Sequence, residues 1–69
     1  MVVKVNGETK QLSMENPSLP DLLRHVGIPP EQSGIAVAIN FEVVPRSQWA
    51  ETQVNEGDEI EVITARQGG

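Results

Sequence analysis

The Asn6-Gly7 pair constrains the fold of this chain more than any other feature. It separates Met1-Val2-Val3-Lys4-Val5 from Glu8-Thr9-Lys10-Gln11-Leu12, and both of its residues accept the positive φ that a type I′ hairpin turn demands. The spacing predicts two antiparallel strands, Met1 to Val5 and Glu8 to Met14, with Val3 and Val5 facing inward.

A short helix follows by the same local logic. Ser18 is a capping residue, Asp21 sits three positions on near the positive end of the dipole, and Pro20 is tolerated in the first turn. Leu19, Leu22, Leu23 and Val26 make one apolar stripe at i, i+3, i+4 and i+7. Gly27 suits the left-handed position after the helix, with Ile28 packing back on Leu23, and Pro29-Pro30 forbids continuation.

Ile35-Ala36-Val37-Ala38-Ile39 reads as a third strand, large β-branched residues on one face and alanines on the other. Asn40-Phe41-Glu42 reads as a turn into Val43-Val44, and Pro45 confines that strand to an edge or an end. A helical turn is expected around Ser47 to Ala50. Asn55-Glu56-Gly57-Asp58 is turn chemistry before a last strand, Glu59 to Ala65, with Ile60 and Val62 inward. A first strand beside the last, both central, fits their strong apolar alternation. Hairpin, helix and further strands together predict an α+β fold of the β-grasp, ubiquitin-like type, a mixed sheet packed on one main helix.

Size and charge restrict the function. A chain of 69 residues holds one small domain, residues 1–69, and has no cysteine for disulfides, thiolate metal sites or nucleophilic catalysis. Hydrophobic residues make up 38%, and six glycines bring the apolar share into the range of folded soluble domains, about 45–50%. Ten acidic against five scattered basic residues give a net charge of −5, which argues against nucleic acid and favours a basic protein partner. Apolar runs fall far short of the roughly 20 residues that cross a bilayer, and no signal segment opens the chain, so no membrane role and a cytoplasmic location are expected.

No phosphate-cradling glycine loop is present. His25 is expected as a solvated residue at the negative end of the helix. Glu56, Asp58, Glu59 and Glu61 alternate across two strand faces instead of converging, so they are read as a turn and a solvated edge, with no metal. Trp49 is expected to cover the edge of the core with its N–H bonded. Phe41 stands at a turn tip.

The remaining candidate is Arg66-Gln67-Gly68-Gly69. Two residues without Cβ atoms make a thin peptide that can bring the Gly69 carboxylate into another enzyme's active site. A carboxylate needs activation, which ATP and Mg²⁺ supply in an activating enzyme by forming an acyl adenylate. Attack by sulfur then gives a thiocarboxylate at Gly69. Attack by an enzyme cysteine and then a lysine gives protein conjugation. The tail from Thr64 onward is expected to be mobile.

Val37-Ala38-Ile39-Asn40-Phe41-Glu42-Val43-Val44-Pro45-Arg46-Ser47-Gln48-Trp49, Glu56-Gly57-Asp58-Glu59-Ile60-Glu61-Val62 and the Gln67-Gly68-Gly69 end, together with Val5-Asn6-Gly7-Glu8 and the Leu22-Leu23 helix, resemble the ThiS family of sulfur carriers in thiamin biosynthesis. The sequence departs from that pattern at Phe41, where many relatives carry a small or polar residue. The resemblance implies a protein co-substrate, not an enzyme: a monomer when free, with no bound cofactor, adenylated at Gly69 by a ThiF-type adenylyltransferase. Sulfur from a cysteine desulfurase or a rhodanese-like persulfide would be passed to thiazole synthase. It implies that Arg66, Gln67, Gly68 and Gly69 enter partner active sites and that the sheet face away from the helix docks. The strand reading puts Val2, Ala36, Ala38, Phe41, Ile63 and Ala65 on that face, with Lys4 and Glu61 at its edges, and a half-exposed sheet that needs no partner is the equal alternative. A carrier for molybdopterin or cysteine synthesis, a ubiquitin-like modifier and a plain binding module remain open.

Overall fold

A computed structural model describes residues 1–64. Strands β1 (Val2–Val5) and β2 (Glu8–Gln11) form the opening hairpin. Asn6 and Gly7 have φ of 51° and 83°, the type I′ geometry expected of this pair. Strand β2 is shorter than its alternation predicts, because β1 runs out of partners. After Val2 pairs with Gln11, Leu12 donates its N–H to the Met1 carbonyl at 2.7 Å and turns into the core.

Helix α1 (Leu19–His25) starts where Ser18 accepts the Asp21 N–H at 3.3 Å. It ends in a full Schellman motif. Ile28 donates to the Leu23 carbonyl at 2.8 Å and Gly27 to that of Arg24 at 3.1 Å, while Gly27 holds φ at 87°. Leu19, Leu22 and Leu23 are fully buried, each worth about 1.5–3 kcal/mol against exposure. His25 is exposed in the last turn. Asp21 pairs with Arg24, which also bridges to Glu31.

Strand β3 (Ile35–Ile39) is joined to β4 (Glu42–Val44) by a two-residue turn at Asn40 and Phe41, so Glu42, expected in the turn, is strand. Pro45 ends β4, and a 3₁₀ helix covers Arg46–Glu51. Strand β5 (Glu59–Thr64) completes a five-stranded sheet of order β2-β1-β5-β3-β4. The first and last strands are parallel neighbours and β5 is central, which is the β-grasp arrangement. Thr64, expected as the first residue of a mobile tail, lies opposite Ile35 because β3 reaches that far.

The core lies between α1 and the inner sheet face, where Val3, Val5, Ile35, Val37 and Ile60 are buried and Val62 packs against them. Trp49 closes one end. It is 4% exposed and its indole N–H donates to the Val44 carbonyl at 2.8 Å. Arg46 stacks 4.2 Å from its ring centre and donates to the carbonyls of Pro30 and Gln32. The Val-Pro-Arg-Ser-x-Trp segment therefore latches the loop after α1 onto the 3₁₀ helix, a structural task.

Candidate functional site

Alternation along the strands assigns the outer sheet face. Since Ile35, Val37 and Ile60 point inward, Ala36, Ala38, Glu59, Glu61 and Ile63 point outward. Register then fixes the neighbours. Ile63 stands opposite Ala36, and Glu61 opposite Ala38, which in turn stands opposite Val43. Ile63 is 62% exposed, Val43 70% and Phe41 78%, the three large hydrophobic side chains most open to solvent among the described residues.

Strand direction separates one expected member from the rest. Val2 is also on the outer face, but β1 runs parallel to β5 with Lys4 opposite Glu59, and Gly57 donates its N–H to the Val2 carbonyl. Val2 therefore lies level with the start of β5, while Ala36 and Ile63 lie at its far end. Glu61, expected at the edge of the docking face, is on the central strand between Ala38 and the β1 side. Phe41 lines a groove over β5 with Lys4, Asn6, Gly7, Glu59 and Glu61. Ala65, Arg66, Gln67, Gly68 and Gly69 lie outside the described residues.

Val43 is not among the expected docking residues, because Pro45 fixes where β4 stops and not which way it faces. The signal was available: a two-residue turn at Asn40-Phe41 makes Ile39 and Glu42 a closing pair and puts Val43 across from Ala38.

The acidic group separates as its alternation requires. Asp58 is buried in its turn, accepting the Asn55 N–H at 2.8 Å and the Asn40 side-chain amide at 3.0 Å. Glu56 reaches the Val2 N–H with both oxygens at 3.1 Å. Glu59 and Glu61 remain on the outer face, with Lys4 as the nearby cation. Among the described residues no three His, Asp or Glu side chains gather as metal ligands, and no helix is long and apolar enough to cross a membrane. Away from this face, a backbone hydrogen bond, and then Arg24, hold the Glu31 carboxyl below its usual range.

Among the described residues the face offers no acid–base pair or nucleophile with an orienting partner. It can present a surface: small alanines for close approach, three open apolar side chains and two carboxylates, at the end of which β5 leads toward Gly69.

Comparison with known proteins agrees with this description. In structure, the chain is similar to the crystal structure of the thiamine biosynthesis protein ThiS from Geobacter metallireducens, with a TM-score of 0.85, 27% identity and all of both chains covered. The solution structure of a thiamine biosynthesis protein from the same organism gives a TM-score of 0.80 at 27% identity, over all of this chain and 88% of that one. In sequence, it is 47% identical to the Escherichia coli sulfur carrier protein ThiS over 38 residues, 55% of this chain and 58% of the relative. It is also 33% identical to a thiazole synthase of Paramagnetospirillum magneticum over all 69 residues, which span 20% of that protein. The chain thus covers less than two thirds of either curated relative. The family model for the ThiS family matches residues 3–69, and with the β-grasp sheet and single main helix in place, the chain belongs to the ThiS family.

Proposed function

We propose that this chain is a sulfur carrier for thiazole formation in thiamin biosynthesis, acting as a co-substrate and not as an enzyme. The observation that carries the reading is the family match from residue 3 to Gly69. The reacting group is the Gly69 carboxylate. In a ThiF-type adenylyltransferase, one of its oxygens attacks the α-phosphorus of ATP and pyrophosphate leaves, with Mg²⁺ and cationic partner residues balancing the charge. A persulfide from a cysteine desulfurase or a rhodanese-like donor then attacks the acyl carbon, and AMP departs. Reductive cleavage of the resulting acyl disulfide by a thiol leaves a thiocarboxylate at Gly69.

Thiazole synthase is the acceptor in this reading. Its support is the similarity of the entire chain to one fifth of a thiazole synthase, a case in which a carrier-like segment and that enzyme share a polypeptide. The outer face around Ala36, Ala38, Val43 and Ile63 docks the carrier, and Arg66, Gln67, Gly68 and Gly69 enter the partner's channel. The chain itself holds no cofactor, and the reaction belongs to the cytoplasm.

Intact mass after incubation with ATP, Mg²⁺, a ThiF-type enzyme, a persulfide donor and a thiol reductant tests the proposal. Gain of one sulfur in place of one oxygen is expected, and should be absent when Gly69 is deleted. No change beside a demonstrably active partner would rule the carrier reading out and favour a modifier or a plain binding module.

A further inference from the structure

Strand β5 is held unequally on its two sides. On the β3 side its register runs without a gap from Ile39 opposite Ile60 to Ile35 opposite Thr64. On the β1 side it covers only Lys4 opposite Glu59 and Val5 opposite Ile60. Strand β1 ends there because the chain turns away at Asn6, whose φ is 51°.

One side chain extends that short side. Asn6 donates its backbone N–H to the Ile60 carbonyl at 2.8 Å, the last main-chain rung. In a continuing parallel ladder the Asn6 carbonyl would accept the Val62 N–H. The type I′ turn removes that carbonyl from line, and the Asn6 side-chain Oδ1 accepts the Val62 N–H instead, also at 2.8 Å. Asparagine is suited to both tasks, tolerating positive φ and carrying a carbonyl on a short stem. Val62 is two residues before the end of β5 and seven before Gly69.

We infer that Asn6 is a positioning residue: its side-chain amide stands in for a missing strand residue and sets the direction in which β5 leaves the sheet toward Gly69. The inference rests on the carrier reading for its consequence. An end of β5 held from both sides fixes the point from which the chain continues to Gly69. Held from the β3 side alone, it swings, and fewer encounters with the activating enzyme align the carboxylate with ATP.

Two variants separate this role from general stability. Asn6→Gly keeps the turn, since glycine accepts the φ, and deletes the acceptor. Asn6→Asp keeps an acceptor oxygen at the same place and serves as the rescue. Native-state amide exchange at Val62 is expected to quicken at least about tenfold in Asn6→Gly and little in Asn6→Asp, because a lost hydrogen bond lowers local protection. The Ile63 amide, on the β3 side by alternation, is the control and should not move. In adenylation by a ThiF-type enzyme, kcat should fall about tenfold in Asn6→Gly with KM nearly unchanged, and recover in Asn6→Asp.

Wild-type exchange at Val62 in Asn6→Gly would overturn the inference, as would faster exchange with unaltered kcat, or an effect confined to KM. If the wild-type chain is not adenylated at all, the carrier reading has failed instead. The exchange contrast between the two variants then still decides whether Asn6 clamps β5.

Discussion

The two hairpin turns among the described residues share a backbone and differ in what fills it. Asn6-Gly7 and Asn40-Phe41 both have positive φ at both positions, 51° and 83° in the first and 51° and 69° in the second. Gly7 meets the geometry at no steric cost. Phe41 occupies a region that disfavours side chains by about 1–2 kcal/mol, and at 78% exposure it recovers little of that through burial. The difference teaches where to look for function. A local rule broken with no compensating packing makes Phe41, which lines the groove over β5, the turn residue to test for a role in recognition.

The asparagines differ as well. The Asn6 side chain accepts one exposed N–H, from Val62. The Asn40 side chain accepts the Glu59 N–H at 3.0 Å and donates to the buried Asp58 carboxylate at 3.0 Å. Asn40→Ala should therefore give the largest effect, a loss of about 3 kcal/mol from a broken bond, an under-partnered buried carboxylate and alanine at positive φ. Asn6→Ala should cost about half as much. Urea unfolding of the pair measures the gap; equal losses would mean that Asp58 finds another donor and that the turns are energetically alike.

Gly7→Ala is the next smaller test. A Cβ at Gly7 meets nothing within 4 Å, so the whole penalty is conformational, about 1 kcal/mol. In a domain this size that lowers the thermal midpoint by roughly 4–8 °C. A neutral result would show that the first turn relaxes out of type I′ geometry, and the comparison with Phe41 would lose its reference.

These turns also show how far local sequence reaches. Asn6-Gly7, the Ser18 cap and the Gly27-Ile28 ending were legible because each is a contact between residues a few positions apart, and the dihedral or hydrogen bond involved belongs to the residue type. The inward faces of β1, β3 and β5 were legible through their period of two. Register across the parallel β1–β5 pair was not, because nothing in either strand states which residue meets which. That is why Val2 was grouped with Ile63 although the structure places them at opposite ends of β5. The reach of the Asn6 side chain to Val62, across 56 positions, and of Asn40 to Asp58 has the same character. Gly68 and Gly69 stood out by position and by family resemblance, since backbone chemistry leaves no side-chain signature.

Phe41→Gly should produce the smallest and most telling change, because its two expected effects have opposite signs. Removing the side chain relieves the positive-φ penalty of about 1–2 kcal/mol, while glycine's freedom in the unfolded chain takes back about 0.4–1, leaving a net gain of about 0.5 kcal/mol. The thermal midpoint should rise by a few degrees. If Phe41 belongs to the docking surface, KM for adenylation should rise in the same variant, since an exposed aromatic is a large share of any contact it joins. A chain that becomes more stable and binds its partner less well would show a turn strained for the sake of recognition. Greater stability with unchanged KM would leave the strain without a docking role. A loss of stability would mean that the ring packs over the β5 groove and contributes more there than its exposure indicates, which would return Phe41 to the fold and leave Val43 and Ile63 as the apolar part of the surface.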